Sequence, residues 1–383
     1  MNYRDVHSFL ADHTRTLELR DDGARVAICP EWQGRVMTST CSGDNGPSFG
    51  FINRSFIEAG KSDAKFNNFG GEERLWLSPE GGPFSLWFAP GAEQSFANWF
   101  TPAALNEGAW PVTESDDRHV AMHAEMEFRN TAGTPFRMDV DREAHLLAGE
   151  QYASLFGADA ARLINDGRLA SVGYETVNRL INRGEPLRKA SGLVSIWMLG
   201  MFNAGDRTVV IAPYRPGPVD RLGPIVKSDY FGDIPPERLK ITPEAVLFMA
   251  DGHYRAKLGL SPARARPVMG SIDFDLGVLT LVHFTMPDDP TEAHYLNNQW
   301  GEQDDPYAGD ASNAYNDGPN ESGSQLGAFY EIESLSPARP LEAGEALEHR
   351  HRTIHLQGEP DVLRPIAQAV LGVDLDKVNG EMF

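Results

Sequence analysis

The chain has 383 residues, of which 41% are hydrophobic and 23% charged, so it is long enough for one large or two ordinary domains. Its net charge of −21 argues against nucleic acid or an anionic membrane surface as partner, because phosphate groups are bound mainly by Lys and Arg. The polar start and the absence of ~18 consecutive apolar residues predict a soluble, cytoplasmic protein without a signal peptide.

Short runs of alternating apolar and polar residues, bounded by turn signals, recur along most of the chain. They predict antiparallel strands at Thr16–Arg20, Ala24–Ile28, His119–Phe128, Phe136–Leu147, Tyr174–Ile181, Leu193–Met198, Thr208–Ala212, Ala245–Met249, Val278–Thr285, Gly327–Leu335 and Glu348–Leu356. The turn at 182–186 is expected to join its flanking strands as a hairpin, and the last two strands are expected to pair.

Helical patterns are predicted at Gly157–Ile164 and at Asp361–Leu371, which follows Pro360. Glycine and proline are spread evenly, so no linker divides the chain and no repeat stands out. We therefore predict one all-β domain over residues 1–383, with a short C-terminal helix.

The glycine-rich segment 66–83 contains Arg74 and Trp76 between two Gly-Gly pairs. Glycines let a backbone approach a ligand closely, and an arginine among them offers a rigid fork of donors. The two side chains are candidate ligand contacts. The alternative is that Arg74 pairs with a glutamate and Trp76 fills the core.

Two groups of basic residues could take part in acid–base or metal chemistry. His253 and Lys257 share one face of an extended segment, and a histidine there could serve as an acid, although a surface role is the commoner one. His349, His351 and His355 lie on one face of a later strand. A three-histidine metal site is conceivable there, but no carboxylate has matching spacing, so a structural role is favoured.

Residues 267–338 contain no Lys or Arg and 13 of the 55 carboxylates. Within them, the segment 302–317 is a loop of carboxylates and amides that could bind Ca²⁺ or sugar hydroxyls. Its spacing is not that of an EF-hand, so sugar is the stronger prediction, and a merely solvated acidic loop is the alternative. The candidate contacts are Asp310, Asn313, Asn316 and Asp317, with Trp300 as a face on which a pyranose ring could stack.

The segment Phe329–Leu335 is predicted to be a strand with two glutamates on one face. Side chains alternate along a strand, so Glu331 and Glu333 point the same way. If that face is enclosed, repulsion and desolvation should raise the pKa of one of them, which would prepare a general acid or base. A solvated face with two glutamates is the alternative.

The C-terminal part resembles the galactose mutarotase-like family, which includes the aldose 1-epimerases. The resemblance rests on Ile332–Pro337, Pro340–Glu345 and Arg350–Leu356, with a weaker similarity in Gly34-Arg35 and at residues 67–79. It implies a supersandwich of two large antiparallel sheets with the site on the concave face of one sheet. It also implies that Glu333 is the catalytic base, with Glu331 as the register alternative, and that Arg74 meets the sugar.

The chain departs from that family where the catalytic acid is expected. The corresponding segment, residues 196–203, contains no histidine, so His253 or Lys257 would have to serve as the acid. An uncharacterised branch of the superfamily is the nearer resemblance, and it includes Trp300 and the segment 310–319.

The function that follows is a carbohydrate-active protein, most simply a sugar epimerase or mutarotase-type isomerase acting on a small-molecule carbohydrate. No cofactor is required, and Ca²⁺ at the 302–317 loop is the weaker expectation. Two alternatives stay open on the same fold: a lyase acting on an oligosaccharide or polysaccharide, in which Lys257 or Arg74 would neutralise an enolate, and a carbohydrate-binding protein without turnover.

Overall fold

The computed structural model describes residues 1–290, 293–320 and 322–383, and its regular structure is mainly β-strand. The strands in chain order are β1 (Leu17–Asp21), β2 (Ala24–Cys29), β3 (Arg35–Thr40), β4 (Arg74–Ser78), β5 (Val112–Ser115), β6 (His119–Arg129), β7 (Pro135–Leu146), β8 (Ala170–Asn182), β9 (Ser195–Asn203), β10 (Thr208–Pro213), β11 (Leu239–Ile241), β12 (Ala245–Met249), β13 (Ala256–Leu260), β14 (Val268–Asp273), β15 (Val278–Phe284), β16 (Ser312–Asn316), β17 (Phe329–Leu335) and β18 (Ala346–Gln357). The α-helices are α1 (Tyr3–His13), α2 (Arg54–Ala59), α3 (Ala103–Asn106), α4 (Gln151–Phe156), α5 (Ala158–Ile164), α6 (Val219–Leu222), α7 (Pro360–Leu371) and α8 (Leu375–Met382).

The strands form two layers. The first layer is a ten-stranded antiparallel sheet with the order β11-β12-β10-β14-β15-β18-β8-β7-β6-β5. The second layer combines a five-stranded sheet, β13-β16-β17-β9-β4, with the three-stranded sheet β1-β2-β3, and a bridge between Val36 and Glu73 links the two. Contacts of β9 with β18, and of β2 and β3 with β8, show that the layers pack face to face. The prediction of large antiparallel sheets in a sandwich is confirmed.

Alternating apolar side chains build the core between the layers. In β6, for example, Val120, Met122, Ala124 and Met126 are buried, while the side chains that alternate with them are at least partly exposed. The outer side of the first layer is covered at one end by α5, α7 and α8. Ile366 and Val370 of α7, which are four residues apart and so lie on one helix face, belong to this covering cluster.

Two predicted strand pairings are wrong. Strand β8 pairs with β7 and β18 in the first layer, whereas β9 lies between β17 and β4 in the second. The turn at 182–186 therefore carries the chain from one layer to the other. Strands β17 and β18 are likewise in opposite layers. Both β8 and β9 are buried along nearly their whole length, so their sequences do not reveal which neighbour each one has.

The polar N-terminus forms a helix that the sequence reading did not include. The side chain of Asn2 caps α1 by accepting a hydrogen bond from the backbone N–H of Asp5 at 2.9 Å. Tyr3, Val6 and Leu10 of this helix are buried against the second layer. Across the described residues, no helix combines the length and the apolar character needed to cross a membrane.

Candidate functional site

The two glutamates of β17 point away from the first layer. Their neighbours on the strand fix this direction, because Tyr330 exchanges a hydrogen bond with Ser271 of β14 and Ser334 contacts His349 and His351 of β18. Side chains alternate along the strand, so Glu331 and Glu333 occupy the opposite, outward face of the five-stranded sheet. Glu333 is nevertheless 0% exposed and Glu331 only 6%, which means that other elements enclose this face.

Strand register aligns the residues of this face in two adjacent rows, which contain most of its polar side chains. One row crosses all five strands through Gly259, Asn313, Glu333, Leu199 and Arg74. The second row is displaced by two residues on each strand, and it contains Lys257, Tyr315, Glu331 and Met201. Residues separated by as many as 259 positions, from Arg74 to Glu333, are therefore brought to one patch of the sheet by pairing alone.

Glu333 accepts hydrogen bonds from two neighbours. The ammonium of Lys257 lies 2.9 Å from each carboxylate oxygen, and the indole Nε1 of Trp197 donates to Oε2 at 2.8 Å. Three hydrogen bonds hold the buried carboxylate of Glu333 in a rigid position.

Glu331 has a different environment. One guanidinium nitrogen of Arg74, Nη2, donates to Oε1 of Glu331 at 3.0 Å. Burial raises the pKa of Glu331 to about 7, and the neighbouring charge of Glu333 adds to the effect, while Arg74 and Lys257 oppose it. Glu331 consequently holds a proton more readily near neutral pH than an ordinary glutamate does.

Arg74 itself is almost completely enclosed, with 4% of its surface exposed. Its guanidinium stacks over Trp76 at 4.3 Å and faces Phe66 at 5.2 Å. Its Nε and Nη1 are buried and have no hydrogen-bond partner among the described residues. A buried guanidinium with two idle donors beside a pair of carboxylates is suited to binding the oxygen atoms of a ligand.

Lys257 completes the charge balance of the patch. Burial alone would lower the pKa of Lys257, but the carboxylates of Glu333, Glu80 and Glu331 outweigh it and raise the pKa above its ordinary value. The ammonium also lies 5.0 Å from the ring centroid of Trp197. Lys257 therefore stays protonated, as a counter-ion to Glu333.

A third carboxylate, Glu80, faces the same patch from the glycine-rich segment. Its Oε1 accepts a hydrogen bond from the indole of Trp99 at 2.8 Å, and the nearby indole of Trp300 helps to lower its pKa. Burial raises the pKa of Glu80, and Glu333 contributes in the same direction, while Lys257 lowers it. Glu80 is therefore a further titratable group whose proton could be used.

Aromatic rings form one wall of the site. Trp76, Trp87 and Trp197 are in mutual contact, with ring centroids 4.4 to 6.5 Å apart, and Trp99 stacks on Trp87 at 5.2 Å. Trp300 is 36% exposed and lies nearly parallel to Trp99 at 6.5 Å. The predicted site residues Trp76 and Trp300 thus belong to one aromatic cluster, in which Trp76 is interior and Trp300 is at the surface.

Asn313 lies in the first row, at the end opposite Arg74, and Asp310 is next to it. The amide of Asn313 donates to Asp310 at 3.0 Å, and the hydroxyl of Tyr230 also donates to Asp310. Gly259 makes this arrangement possible, because a Cβ at that position would come within 2.2 Å of the Asp310 carboxylate. These two predicted residues are therefore close to Glu333, which pairs with Asn313 across β16 and β17.

Other predicted site residues are not brought to Glu333. Asn316 lies on the opposite face of β16, where its side chain bonds to Asp251 and to the backbone of Gly252 and Tyr254. Asp317 accepts from the Tyr315 hydroxyl at 2.6 Å and from two backbone N–H groups of the following loop.

His253 is 66% exposed in its side chain, and the carboxylate that it faces is Asp251 at 3.7 Å. Among the described residues, the side chains that donate hydrogen bonds to Glu331 or Glu333 are those of Arg74, Trp197 and Lys257. The segment 302–317 is not one long loop either, because residues 312–316 form β16. Calcium binding there stays a prediction.

The three histidines of β18 do not converge on one point. His349 and His351 both contact the hydroxyl of Ser334, at 2.8 Å each, whereas His355 contacts Glu72 at 2.9 Å. All three are buried between the layers. Burial lowers the pKa of His349 to about 3 and lowers that of His351 well below its ordinary value, so these two are neutral hydrogen-bonding groups of the core.

The sequence reading missed several residues of the patch: Glu80, Trp99, Trp197 and Tyr230. For Trp197 a signal was present, because it lies in the segment where the resembling family has its catalytic acid. For Glu80 the signal was its position between glycine pairs. Nothing local marks Tyr230 or Trp99, whose roles come from loops that fold over the sheet.

A family model described as "Family of unknown function (DUF6786)" matches residues 1–382 of the chain. Among curated proteins, no match was found.

Three solved structures share the fold of this chain, and two of them carry names related to sugar isomerisation. The Slr1438 protein from Synechocystis sp. PCC 6803 has a TM-score of 0.51 at 13% identity, over 90% of this chain and 96% of that one. A candidate aldose 1-epimerase of Escherichia coli K12 has a TM-score of 0.50 at 11% identity, over 90% and 99%. A galactose mutarotase-like protein from Lactobacillus casei ATCC 334 has a TM-score of 0.50 at 10% identity, over 90% and 100%. The predicted fold, a galactose mutarotase-like supersandwich, is confirmed.

Proposed function

The chain belongs to DUF6786, a family of unknown function, and on the geometry of the β17 patch we propose that it is a sugar isomerase of the mutarotase type. Its substrate is a small carbohydrate that opens and recloses its ring. Glu333 is the general base and Glu331 is the general acid. Arg74, Asp310 and Asn313 orient the hydroxyl groups of the sugar. The names of two of the three solved structures above, those from Escherichia coli and Lactobacillus casei, agree with this class of substrate.

The observation that carries the proposal is the contrast between the two buried carboxylates of β17. Lys257 and Trp197 donate hydrogen bonds to Glu333 and fix its position. Burial raises the pKa of Glu331 to about 7, so Glu331 holds a proton more readily than an ordinary glutamate does. Ring opening needs one group that accepts a proton and one that donates it, and two neighbouring carboxylates in different environments can divide these roles. The missing histidine of the resembling family is then no obstacle.

The reaction can be written with these two groups alone. Glu333 takes the proton of the anomeric hydroxyl while Glu331 gives its proton to the ring oxygen, and the bond between the anomeric carbon and the ring oxygen breaks. Rotation about the adjacent carbon–carbon bond turns the aldehyde over. The reverse transfers close the ring with the other configuration and return both protons. Arg74, at 3.0 Å, stabilises the carboxylate that Glu331 becomes after it has donated.

Substrate entry requires the covering segments to move. The reacting groups are enclosed, because the side chains of Arg74, Lys257 and Glu333 are 5%, 14% and 0% exposed. Trp300 covers the patch from one side, and Tyr230 covers it from the other. An enclosed site also keeps water away from the open-chain aldehyde. We therefore place the opening between the loop segments that bear these two aromatic residues.

Polarimetry on freshly dissolved aldoses tests the proposal. The wild type is expected to speed the approach to optical equilibrium, and Glu333→Gln should lose roughly 100- to 10,000-fold of that acceleration, as for the removal of a general base. The matched control is Glu127→Gln, another strand glutamate, whose side chain is 77% exposed on the first layer. Equal rates for wild type and Glu333→Gln over a broad panel of aldoses would refute the assignment.

The two alternatives predict different outcomes in the same samples. A lyase would generate an unsaturated product that absorbs in the ultraviolet, with no change in the rate of mutarotation. A binding protein would retain a sugar in equilibrium dialysis without accelerating anything. Since Arg74 and Lys257 are each paired with a glutamate, neither is a free cation for an enolate, and the isomerase is the better fit.

A further inference from the structure

A second group of side chains that could bind a ligand lies on the first layer, away from the site around Glu331 and Glu333. We propose that His119, Glu143 and His145 form a binding site for a divalent transition-metal ion of the zinc class. The inference is independent of the isomerase proposal, because the three residues project from β6 and β7 on the solvent side of the ten-stranded sheet.

Strand register brings the three side chains together. His119 of β6 is directly opposite His145 of β7, and Glu143 lies two residues before His145 on the same face. Inner-face neighbours such as Val120 and Ala144 are buried, which confirms that the histidines point outward. The two imidazole rings are nearly parallel, with centroids 4.4 Å apart. Antiparallel neighbours and a residue at i+2 are thus enough to gather three ligand types.

The distances suit one small ion. Glu143 Oε2 is 2.9 Å from His145 Nε2 and 3.7 Å from His119 Nε2, and all three donor atoms lie within 4.8 Å of one another. Tetrahedral coordination at ~2.0–2.1 Å separates ligand atoms by about 3.3 Å, a value between the two measured contacts. Binding requires the partly exposed side chains to rotate so that their donor atoms point to one position. Two imidazoles and a carboxylate are the donor set that Zn²⁺ and its neighbours prefer.

One donor of the cluster lacks a partner. His119 Nε2 is buried from solvent at the atomic level, and in the described part of the chain it makes no hydrogen bond. Glu143 already bonds to His145, so a simple hydrogen-bonded triad would leave His119 unused. An ion placed among the three atoms would satisfy all of them. This idle nitrogen is what separates the cluster from an ordinary patch of surface histidines.

The surroundings provide space and a balance of charge. A surface cavity of about 480 Å³ is lined by the cluster and by Asp116, Arg118, Gln151, Glu175, Arg179, Glu348 and Arg350, among others. The three arginines that would repel a cation are each near a carboxylate outside the cluster: Arg118 contacts Asp21, Arg179 faces Asp141, and Arg350 contacts Glu175 and Glu348. The open side leaves a coordination position for water or for a ligand.

Metal binding can be measured directly on the whole protein. After treatment with a chelator and its removal, titration with Zn²⁺ is expected to show one tight equivalent per chain and a rise in Tm. Co²⁺ should give the visible absorption of a tetrahedral site. His119→Ala and Glu143→Gln should each weaken binding by roughly 10-fold or more, because each removes one of three ligands. Both side chains are partly exposed, at 22% and 43%, so folding should survive.

The chain contains a close control on the same two strands. His123 of β6 bonds to Asp141 of β7 at 2.8 Å, and among the described residues this pair belongs to no group of three potential metal ligands. His123→Ala should leave zinc affinity unchanged. The proposal is overturned if His123→Ala weakens binding as much as His119→Ala does, or if the wild type binds no zinc. Sugar mutarotation in the same variants is expected to be normal, which separates failure here from failure of the isomerase assignment.

Discussion

Two buried arginines, one in each layer, show how similar sequence features can serve different ends. Arg142 of β7 and Arg74 of β4 are both strand residues, both enclosed, and both paired with a glutamate. Arg142 uses every part of its guanidinium: Nη2 bonds to Glu73, Nη1 to Asn178 and Nε to the backbone carbonyl of Gly34. Arg74 uses only Nη2, and its Nε and Nη1 are idle among the described residues.

The difference lies in what surrounds each pair. Around Arg142, side chains of β8 and a carbonyl near β3 complete the hydrogen bonding, and Thr176 supports Glu73 at 2.6 Å. Such a group is part of the architecture, since an incomplete buried charge between the layers would cost several kcal/mol. Around Arg74, the neighbours on one side are aromatic faces that offer no acceptors. The unfilled hydrogen-bonding capacity indicates a ligand.

The largest expected effect comes from the same substitution at both arginines. Arg142→Met leaves Glu73 buried without its cation and breaks three hydrogen bonds, so the free energy of unfolding should fall by about 3–5 kcal/mol. Arg74→Met removes one hydrogen bond and a stacking contact. Because Glu331 can then become protonated and so avoid a buried charge, the free energy of unfolding should fall by only about 1–2 kcal/mol. Urea unfolding measures both values. Equal losses would mean that the two arginines have the same structural role.

The next effect concerns the pH dependence of stability at Glu331. Burial raises its pKa from the ordinary 4.5 to about 7, so between these pH values the folded chain holds a proton that the unfolded chain has released. Stability contributed by the neutral carboxyl is therefore complete below pH 4.5 and is lost as the pH rises through 7, by up to roughly 3 kcal/mol. Glu331→Gln stays neutral throughout and lacks this slope.

The comparison is the difference between wild type and Glu331→Gln in the free energy of unfolding at pH 5, 6, 7 and 8. Other buried carboxylates, such as Glu73 and Glu80, have raised pKa values that add slopes of the same sign, but these are common to both proteins and cancel. A difference that is constant from pH 5 to 8 would show that Glu331 is ionised throughout, and the assignment of Glu331 as the acid would fail.

Much of this contrast could be derived from the sequence, and part could not. Strand alternation was sufficient to place Glu331 and Glu333 together on one face. The same rule, applied to Val140, Arg142 and Ala144, could have identified Arg142 as an inward-facing charge. What alternation does not supply is the order of strands in a sheet. Glu333 is bonded by Lys257 and Trp197. These two residues are on strands that are distant from β17 in sequence, and only the order of strands in the sheet brings them next to it.

The acidic segment 302–317 also shows that strand pairing cannot be derived from sequence patterns. Residues 302–317 were predicted as one functional loop because acidic and amide residues suppress strand patterns. In the structure, residues 312–316 pair with β13 and β17, which sends Asn313 to the site and Asn316 to the opposite face. Composition had indicated the right region, and register then decided which of its side chains could reach Glu333.

A smaller effect is expected when Arg74 keeps its charge but loses its shape. Arg74→Lys retains a cation beside Glu331, so stability should change by no more than about 1 kcal/mol, but a single ammonium cannot replace a fork of donors. The specificity constant for the best aldose should fall roughly 10- to 100-fold, since hydrogen bonds to the substrate are lost. Unchanged kinetics would mean that the idle nitrogens of Arg74 do not meet the sugar. Lys257→Arg, which enlarges the cation of the neighbouring pair, tests whether the response is specific to position 74.

The smallest effect should come from the edge of the aromatic wall. Trp300 is 36% exposed and its ring is nearly parallel to Trp99, so it can cover one face of a pyranose without supporting the core. Trp300→Ala should weaken substrate binding several-fold, equivalent to about 1 kcal/mol, with little change in Tm. Phe96→Ala is the matched control, because Phe96 also stacks on Trp99, at 6.1 Å, and is 66% exposed. If the two substitutions weaken binding equally, the wall acts through the packing of Trp99, and Trp300 does not contact the sugar.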